Sequence, residues 1–451
     1  MADLLSIGRS GVLAYRTALS TIGENVSNAE TEGYSRRQVV LSESATSASN
    51  GFIYKSSAVF GGVEAGSVQR VFDNYRASYA RFSNSEAAKA NAKATWLGTA
   101  ESALDDSNVG LGVKMSSVFT AGEGLSADVS SDTNRRTMLT ALTDVANQFN
   151  ATAAALSSAA SGITTAAEAS VAKLNDNLAS LAQINVALRR AVPGSQGQAL
   201  LQDQRDGVLK SISDSIGVDV KLDDDGRASV FLLGDSTVTL VDAGKVAPGY
   251  VGMVAAANGR FSLVASGFGA EVPMAPQSGT LAGLADVANT IASRRDSLDA
   301  IAANFAQVLN NWNQNGIDGN GTAGAALVNG ATAATLSIAT TDVSKIAAAS
   351  TSGVANGNAL ALKDTRNSTG PEAQWALLVS THAQAVSAAN AAQTATATQR
   401  DGALQQLDEV TGVDLDVEAA QLLRFQQAYS GSARIIQVAR DTLQEILGLF
   451  S

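Results

Sequence analysis

The sequence predicts a mainly α protein with a small inserted β domain. Three observations carry that prediction. Apolar residues at heptad spacing occupy both ends of the chain, long interior tracts repeat every three to four residues, and one interior stretch switches to a period of two. The 451 residues correspond to about three domains of roughly 150 residues each. The expected architecture is a coiled-coil domain of the terminal heptad helices, a long helical bundle and an outer β domain.

The first element is a helix. Leu5, Gly8, Val12, Tyr15, Leu19, Ile22 and Val26 alternate steps of three and four, and six of the seven are apolar. That is a heptad seam on a helix of roughly 24 residues, ~36 Å long. Asn28 and Gly33 supply turn chemistry that ends it near Val26–Asn28. Residues 36–72 read as extended chain through Val39, Val40, Leu41, then Phe52, Ile53, Tyr54, and Val59, Phe60. Helix resumes near Asp73 and runs to about Leu104. Ser131 is an N-cap for a very long tract reaching about Ala191, with Gly162 as a point of interruption and Pro193-Gly194 as its end. Another helix covers 200–216.

The period then changes. Val218, Val220 and Leu222 alternate with Asp219 and Lys221, Asp223–Gly226 turns the chain, and further strands continue to about Val272. Helix returns over 281–313. A Gly/Asn/Thr/Ala-rich stretch, 315–370, holds a few strand-like residues, Leu336 and Ile338 among them. Pro371 opens a helix to about Val410, and Gly412 breaks it. In the last segment Leu415, Glu418, Leu422, Phe425, Tyr429, Ser432, Ile436, Ala439, Leu443, Ile446 and Phe450 repeat the opening pattern, and nine of the eleven are apolar. That helix is ~35 residues and ~52 Å long. The resulting division is 1–35 with 413–451 as a terminal-helix domain, 36–217 with 279–412 as an elongated helical domain, and 218–278 as an outer β domain.

Composition excludes several functions. Lys and Arg number 31 against 42 Asp and Glu, a net charge of −11, which disfavours a nucleic-acid binder. There is no cysteine, so thiolate metal sites, disulfides and cysteine nucleophiles are absent. The single histidine, His382, is expected at the surface or in a groove. Gly319–Gly324 fits G-x-G-x-x-G but follows a helix rather than a strand. Asn311, Asn313 and Asn315-Gly316 have calcium-loop spacing without a carboxylate among them. No G-x-S-x-G elbow occurs. No enzyme activity, cofactor or metal is expected. The uncharged stretches 150–167 and 319–341 hold too few large apolar residues for membrane insertion, and the N-terminus lacks a secretory signal.

Spacing leaves two roles for the terminal seams. They pair with each other inside one chain, or they face neighbouring subunits. The apolar stripe runs on through Leu447, Leu449 and Phe450, and chain ends are usually polar unless something ties them down, which favours assembly.

The segment Asn25-Val26-Ser27-Asn28-Ala29-Glu30-Thr31-Glu32-Gly33-Tyr34-Ser35-Arg36 resembles the N-terminal signature of the flagellar rod, hook and hook-associated protein family. Leu423-Arg424-Phe425-Gln426-Gln427-Ala428-Tyr429 resembles its C-terminal signature. The helical tract 131–216, with Leu201–Asp206 and Ile216–Val220, is similar to the hook–filament junction branch rather than to hook or rod subunits. Glu24 stands where the family usually has Asn, and Glu32 where many members have Pro.

The resemblance implies an axial structural protein at the hook–filament junction, outside the cell, exported through the flagellar type III apparatus without a cleaved signal. A hook or rod protein is the alternative. Implied partners are copies of itself in a ring, the hook protein, the second junction protein (hook-associated protein 3) and an export chaperone, with no nucleic acid and no membrane insertion. It makes Leu5, Val12, Tyr15, Leu19, Ile22, Val26, Leu422, Phe425, Tyr429, Ile436, Leu443, Ile446 and Phe450 the assembly interface. Asn25, Asn28, Gly33 and Tyr34 form the signature turn. Because no metal is expected to hold the fold, a chelator should leave the thermal midpoint unchanged. A drop of several degrees in calorimetry would overturn that expectation.

Overall fold

A computed structural model describes residues 2–45, 60–107 and 109–448. The expected extended residues Phe52, Ile53, Tyr54 and Val59, and the seam position Phe450, lie outside the described residues. The protein is mainly helical with small antiparallel sheets.

Helix α1 spans Ala2–Ser27. Strands β1 (Arg37–Ala45) and β2 (Phe60–Arg70) form an antiparallel hairpin. Helix α2 (Asn74–Glu101) starts where Asp73 accepts a hydrogen bond from the Arg76 N–H at 3.0 Å, satisfying one of the free donors of the first turn. Helix α3 (Leu111–Ala127) was not anticipated from the sequence. Its buried Leu111, Met115, Val118, Phe119 and Leu125 do follow helical spacing. Gly112, Gly122 and Gly124, each costing about 1 kcal/mol relative to Ala in a helix, obscured the signal. Gly122 leaves room for the Leu362 side chain, so packing outweighs propensity there.

Helix α4 (Asp132–Leu188) is the spine. It has 57 residues, about 86 Å at 1.5 Å per residue, and is capped by Ser131, which accepts from the Asn134 N–H at 3.2 Å. Gly162 does not interrupt it. A Cβ there would lie 2.7 Å from the Trp96 ring, so the glycine is a seat for that indole. Helix α5 spans Gln196–Ser215.

Two three-stranded antiparallel sheets follow. The first comprises β3 (Val218–Leu222), β4 (Ala228–Leu232) and β5 (Asp235–Val241). The second comprises β6 (Tyr250–Ala255), β7 (Phe261–Ser266) and β8 (Val272–Met274). Both are bracketed to α4 by asparagines. Asn185 exchanges two hydrogen bonds with the Ala228 backbone, both 2.9 Å. Asn175 does the same with Val251, at 2.9 and 2.8 Å. Val230, Leu240, Val251 and Leu263 are buried in one cluster with Leu174, Leu178 and Leu181 of α4.

Helix α6 covers Thr280–Gln314. The stretch behind it contains β9 (Gly316–Ile317), β10 (Val328–Asn329), β11 (Ser337–Ile338), β12 (Ala349–Ser350) and the short helix α7 (Gly357–Ala361). Asn313, in the calcium-like spacing, serves the chain instead. Its amide donates to the carbonyls of Ala325 and Lys345 and accepts from the Ala347 N–H. The glycine-rich motif at 319–324 is a turn built on Asp318, whose carboxylate accepts from the Thr322 and Asn320 backbone. Those bonds, that from Thr322 foremost, hold its pKa down to about 2. Helices α8 (Pro371–Thr411) and α9 (Leu415–Gly448) complete the chain.

His382, expected at the surface or in a groove, is buried at 1% exposure between α8 and α2. Its Nε2 lies 3.0 Å from the Leu97 carbonyl, and its Nδ1 has no partner. The helical period placed it on the same face as Trp375, Leu378 and Val386, which are also buried. Burial depresses its pKa below the ordinary 6.5, with the hydrogen bond to Leu97 opposing. The unfolded chain therefore takes up this proton first. Stability is lost as pH falls from about 6.5 through the folded value, then levels off. Being the one histidine, it gives a clean readout. The wild-type denaturation midpoint should fall between about pH 7.5 and 5.5 by more than that of His382→Leu. Parallel curves for the two proteins would refute the assignment.

Candidate assembly site at the paired chain ends

The two heptad helices pair with each other, antiparallel, within one chain. Gly8 faces Ile436, Gly11 faces Ser432, and Tyr15 meets Phe425 with ring centroids 6.1 Å apart. A Cβ on Gly8 would lie 2.6 Å from Ile436 Cγ1, and one on Gly11 2.5 Å from Ser432 Oγ. Gly8 thus permits a close helix approach, since a Cβ there would also meet the Ile436 N and the Ser432 carbonyl at 3.3 Å, whereas at Gly11 the nearest atom is the movable Ser432 hydroxyl. The hairpin forms the third layer: Val63 N–H donates to Ser10 Oγ at 3.2 Å, and Gly62, at φ +88°, lies against Ile7.

The expected interface residues separate into two groups. Leu5, Val12, Tyr15, Leu19, Leu422, Phe425, Ile436 and Leu443 are half-buried and Ile22 is buried. Val26, Tyr429 and Ile446 are exposed. The most thoroughly covered seam positions of α9 are instead Glu418, Ser432 and Ala439. A second side of the pair remains open. Leu13 on α1 and Val417, Leu423, Ile435 and Val438 on α9 are all exposed.

The signature turn is organised around Asn25, which is 1% exposed. Its Nδ2 donates to the Arg37 carbonyl at 2.9 Å and to Glu418 Oε2 at 3.1 Å. Its Oδ1 accepts from the Arg37 N–H at 3.0 Å and from the Tyr34 hydroxyl at 2.8 Å. All four hydrogen-bonding positions of the amide are used. Arg36 Nε donates to Glu418 Oε1 at 2.6 Å, and the Arg36 N–H donates to the Thr411 carbonyl at 2.8 Å. Glu418 itself is inaccessible to water. Asn28 caps the end of α1, its Nδ2 donating to the Glu24 carbonyl at 2.9 Å. Gly33, at φ +80°, makes the reversal that returns Tyr34 to Asn25. Burial pushes the Tyr34 hydroxyl up to about 12 against the pull of Arg37.

From this hub an ion network leads into α5. Arg37 reaches Asp203 at 3.1 Å and Glu24 at 3.4 Å. Arg70 pairs with Asp203 and Asp206, and Arg205 with Asp206 at 2.8 Å and with the Gly226 carbonyl. Burial raises the Asp203 carboxyl even against Arg70 and Arg37. Glu24 also accepts from Gln196 Nε2 at 2.8 Å, and Glu32 pairs with Lys210 at 2.7 Å. The latter is exposed and contributes little. Sequence reasoning missed Arg36, Arg37, Arg70, Asp203, Asp206 and Glu418 as a group. The available signal was a glutamate at a position where a heptad seam calls for an apolar residue. Among the described residues no cluster fits a metal ion, and no helix is long and apolar enough to cross a membrane.

Comparison with known proteins gives a consistent answer. Residues 97–328 match the model described as "Flagellar hook-associated protein FlgK helical domain". Residues 404–449 match "Flagellar basal body rod FlgEFG protein C-terminal". The chain is 24% identical over 332 residues to flagellar hook-associated protein 1 of Escherichia coli strain K12, covering 72% of this chain and 59% of that protein. It is 24% identical over 492 residues to the Bacillus subtilis protein of the same name, covering 98% and 97%. The fold is similar to the flagellar hook junction protein FlgK from Burkholderia pseudomallei, with a TM-score of 0.50 at 20% identity, over 56% of this chain and 46% of that one.

Asn25→Ala would strand the Arg37 backbone, the Tyr34 hydroxyl and one oxygen of Glu418. At about 1–3 kcal/mol per unsatisfied buried group, partly relieved by water, the terminal pair should lose about 3 kcal/mol. Amide exchange in α9 would report it, and protection within about 0.5 kcal/mol of wild type would contradict it.

Proposed function

The chain belongs to the family of flagellar hook-associated proteins typified by FlgK, and from that premise we propose that it joins the hook to the next junction protein and so to the filament. The role is structural and needs no catalysis. The observation that carries the reading is the open apolar side of the α1–α9 pair. One seam is closed inside the chain, while Leu13, Val417, Ile435 and Val438 stand uncovered on the other. Ile435 and Val438, one turn apart on α9, and Val417, five turns earlier on the same face, form an exposed apolar row that fits an assembly surface. Copies of the chain arranged in a ring would cover it, and would also cover Val26, Tyr429 and Ile446, the seam positions the α1–α9 pair leaves exposed.

In this reading residues 1–35 and 413–451 form an inner domain lining the axial channel. Residues 36–217 and 279–412 form the load-bearing helical domain, and 218–278 the outer β domain. The hook protein and the second junction protein contact opposite ends, an export chaperone escorts the chain, and the mature location is the extracellular hook–filament junction. A hook or rod subunit is the second reading. It is favoured by the C-terminal helix that rod proteins share, and disfavoured by the long helical body.

A strain lacking the protein should make hooks without filaments and shed flagellin into the medium, whereas absent hooks would point to a rod or hook role. Ile435→Lys combined with Val438→Lys should leave the monomer's stability within about 0.5 kcal/mol per site, as surface changes do, yet abolish filament attachment. Normal filaments on hooks carrying that variant would remove this face from the interface.

A further inference from the structure

The α1–α9 seam contains a device whose chemistry differs from the rest of it. Small residues at Gly8 and Gly11 admit Ile436 and Ser432, which defines how closely the helices approach. These notches do not define which heptad of α9 they receive. A slip of one heptad would bring Leu443 to Gly8 in place of Ile436, and Ala439 to Gly11 in place of Ser432. Both exchanges preserve size class. The same slip would bring Phe425 opposite Asn25. The amide would lose its bond to Glu418, and a buried carboxylate would lose both its partners, Asn25 Nδ2 and Arg36 Nε.

We infer that the buried Asn25–Glu418–Arg36 contact is a register key, selecting one antiparallel alignment of the two chain ends from the alignments their heptads allow. The physical basis is general. A buried polar contact adds little net stability over apolar residues of similar size, but misalignment strands its members at high cost. In the observed register Glu418 has no access to water and Asn25 has no hydrogen-bonding position to spare, so a slip would break a fully satisfied buried contact. The register matters because it decides which residues of α9 fall on the open side of the pair. The inference concerns the single chain and stands independently of the hook–filament reading.

The absence of cysteine makes a direct test available on the full-length monomer. The Cβ of Gly11→Cys would lie 3.1 Å from that of Ser432→Cys, close enough for a disulfide after slight adjustment. This pair reports the observed register, and Gly11→Cys with Ala439→Cys reports the slipped one. In the parent background only the 11–432 disulfide should form on mild oxidation. In Asn25→Leu/Glu418→Leu the 11–439 disulfide should rise about tenfold or more relative to 11–432, as expected when the bias of a two-state equilibrium is removed. Circular dichroism should show helix content retained. A helical variant that still forms only the 11–432 disulfide would overturn the inference, because the glycine notches and the Tyr15–Phe425 contact would then suffice. A variant that loses its helices would overturn it too, because the contact would then supply stability rather than alignment.

Discussion

A carboxylate shut away from water must be satisfied by protein, and the terminal architecture depends on how Glu418 meets that constraint. Its two oxygens are taken by Asn25 and Arg36, residues almost four hundred positions away in sequence. For both to reach it, α1 must end at Ser27, the turn must reverse at Gly33, and α8 must stop at Thr411 so that α9 can begin. Each of those local events is written in turn and cap chemistry, yet their common purpose appears only at the carboxylate.

The helical body follows a different constraint, which is close approach. Small residues repeatedly mark places where two helices or a ring come together: Gly162 under Trp96, Gly122 beside Leu362, Gly8 against Ile436. Aromatic residues are few, at 5%, and those in the core are well used, with Phe149 and Phe305 5.8 Å apart between α4 and α6. Close-packed protein interiors resist deformation. The sheets are attached to this spine by the paired amides of Asn175 and Asn185, so their position along α4 is set by hydrogen bonds as well as by burial.

The ion network of Arg37, Arg70, Asp203, Arg205 and Asp206 links these two regimes. It runs from the signature turn through the hairpin to α5 and the β3–β4 turn. Mostly buried charges of alternating sign hold the terminal pair and the helical body in one orientation. Asp203 faces both Arg37 and Arg70, and Asp206 both Arg70 and Arg205, so each carboxylate keeps a partner when one arginine is lost, whereas losing Asp206 strips Arg205 of its carboxylate in a low-dielectric setting.

The helices, the strand segment and the terminal seams were legible in the sequence because they rest on periodicity, and periodicity is a local property. Asp73 and Ser131 were readable as starts, and Gly412 as a stop, for the same reason. Helix α3 was hidden because its glycines lower intrinsic propensity while serving contacts made by residues far along the chain. His382 was misplaced because its neighbours in sequence are small and polar, whereas its burial comes from α2. The sequence by itself determined that Leu422, Phe425 and Ile436 lie on one stripe and that Asn25 lies at the end of the first helix, next to the signature turn. Only the tertiary structure decided that the stripe meets α1 of the same chain, and that Asn25 meets Glu418. The physical reason is that a heptad specifies a face without specifying what covers it, and a buried polar group acquires its meaning only from the partner that satisfies it.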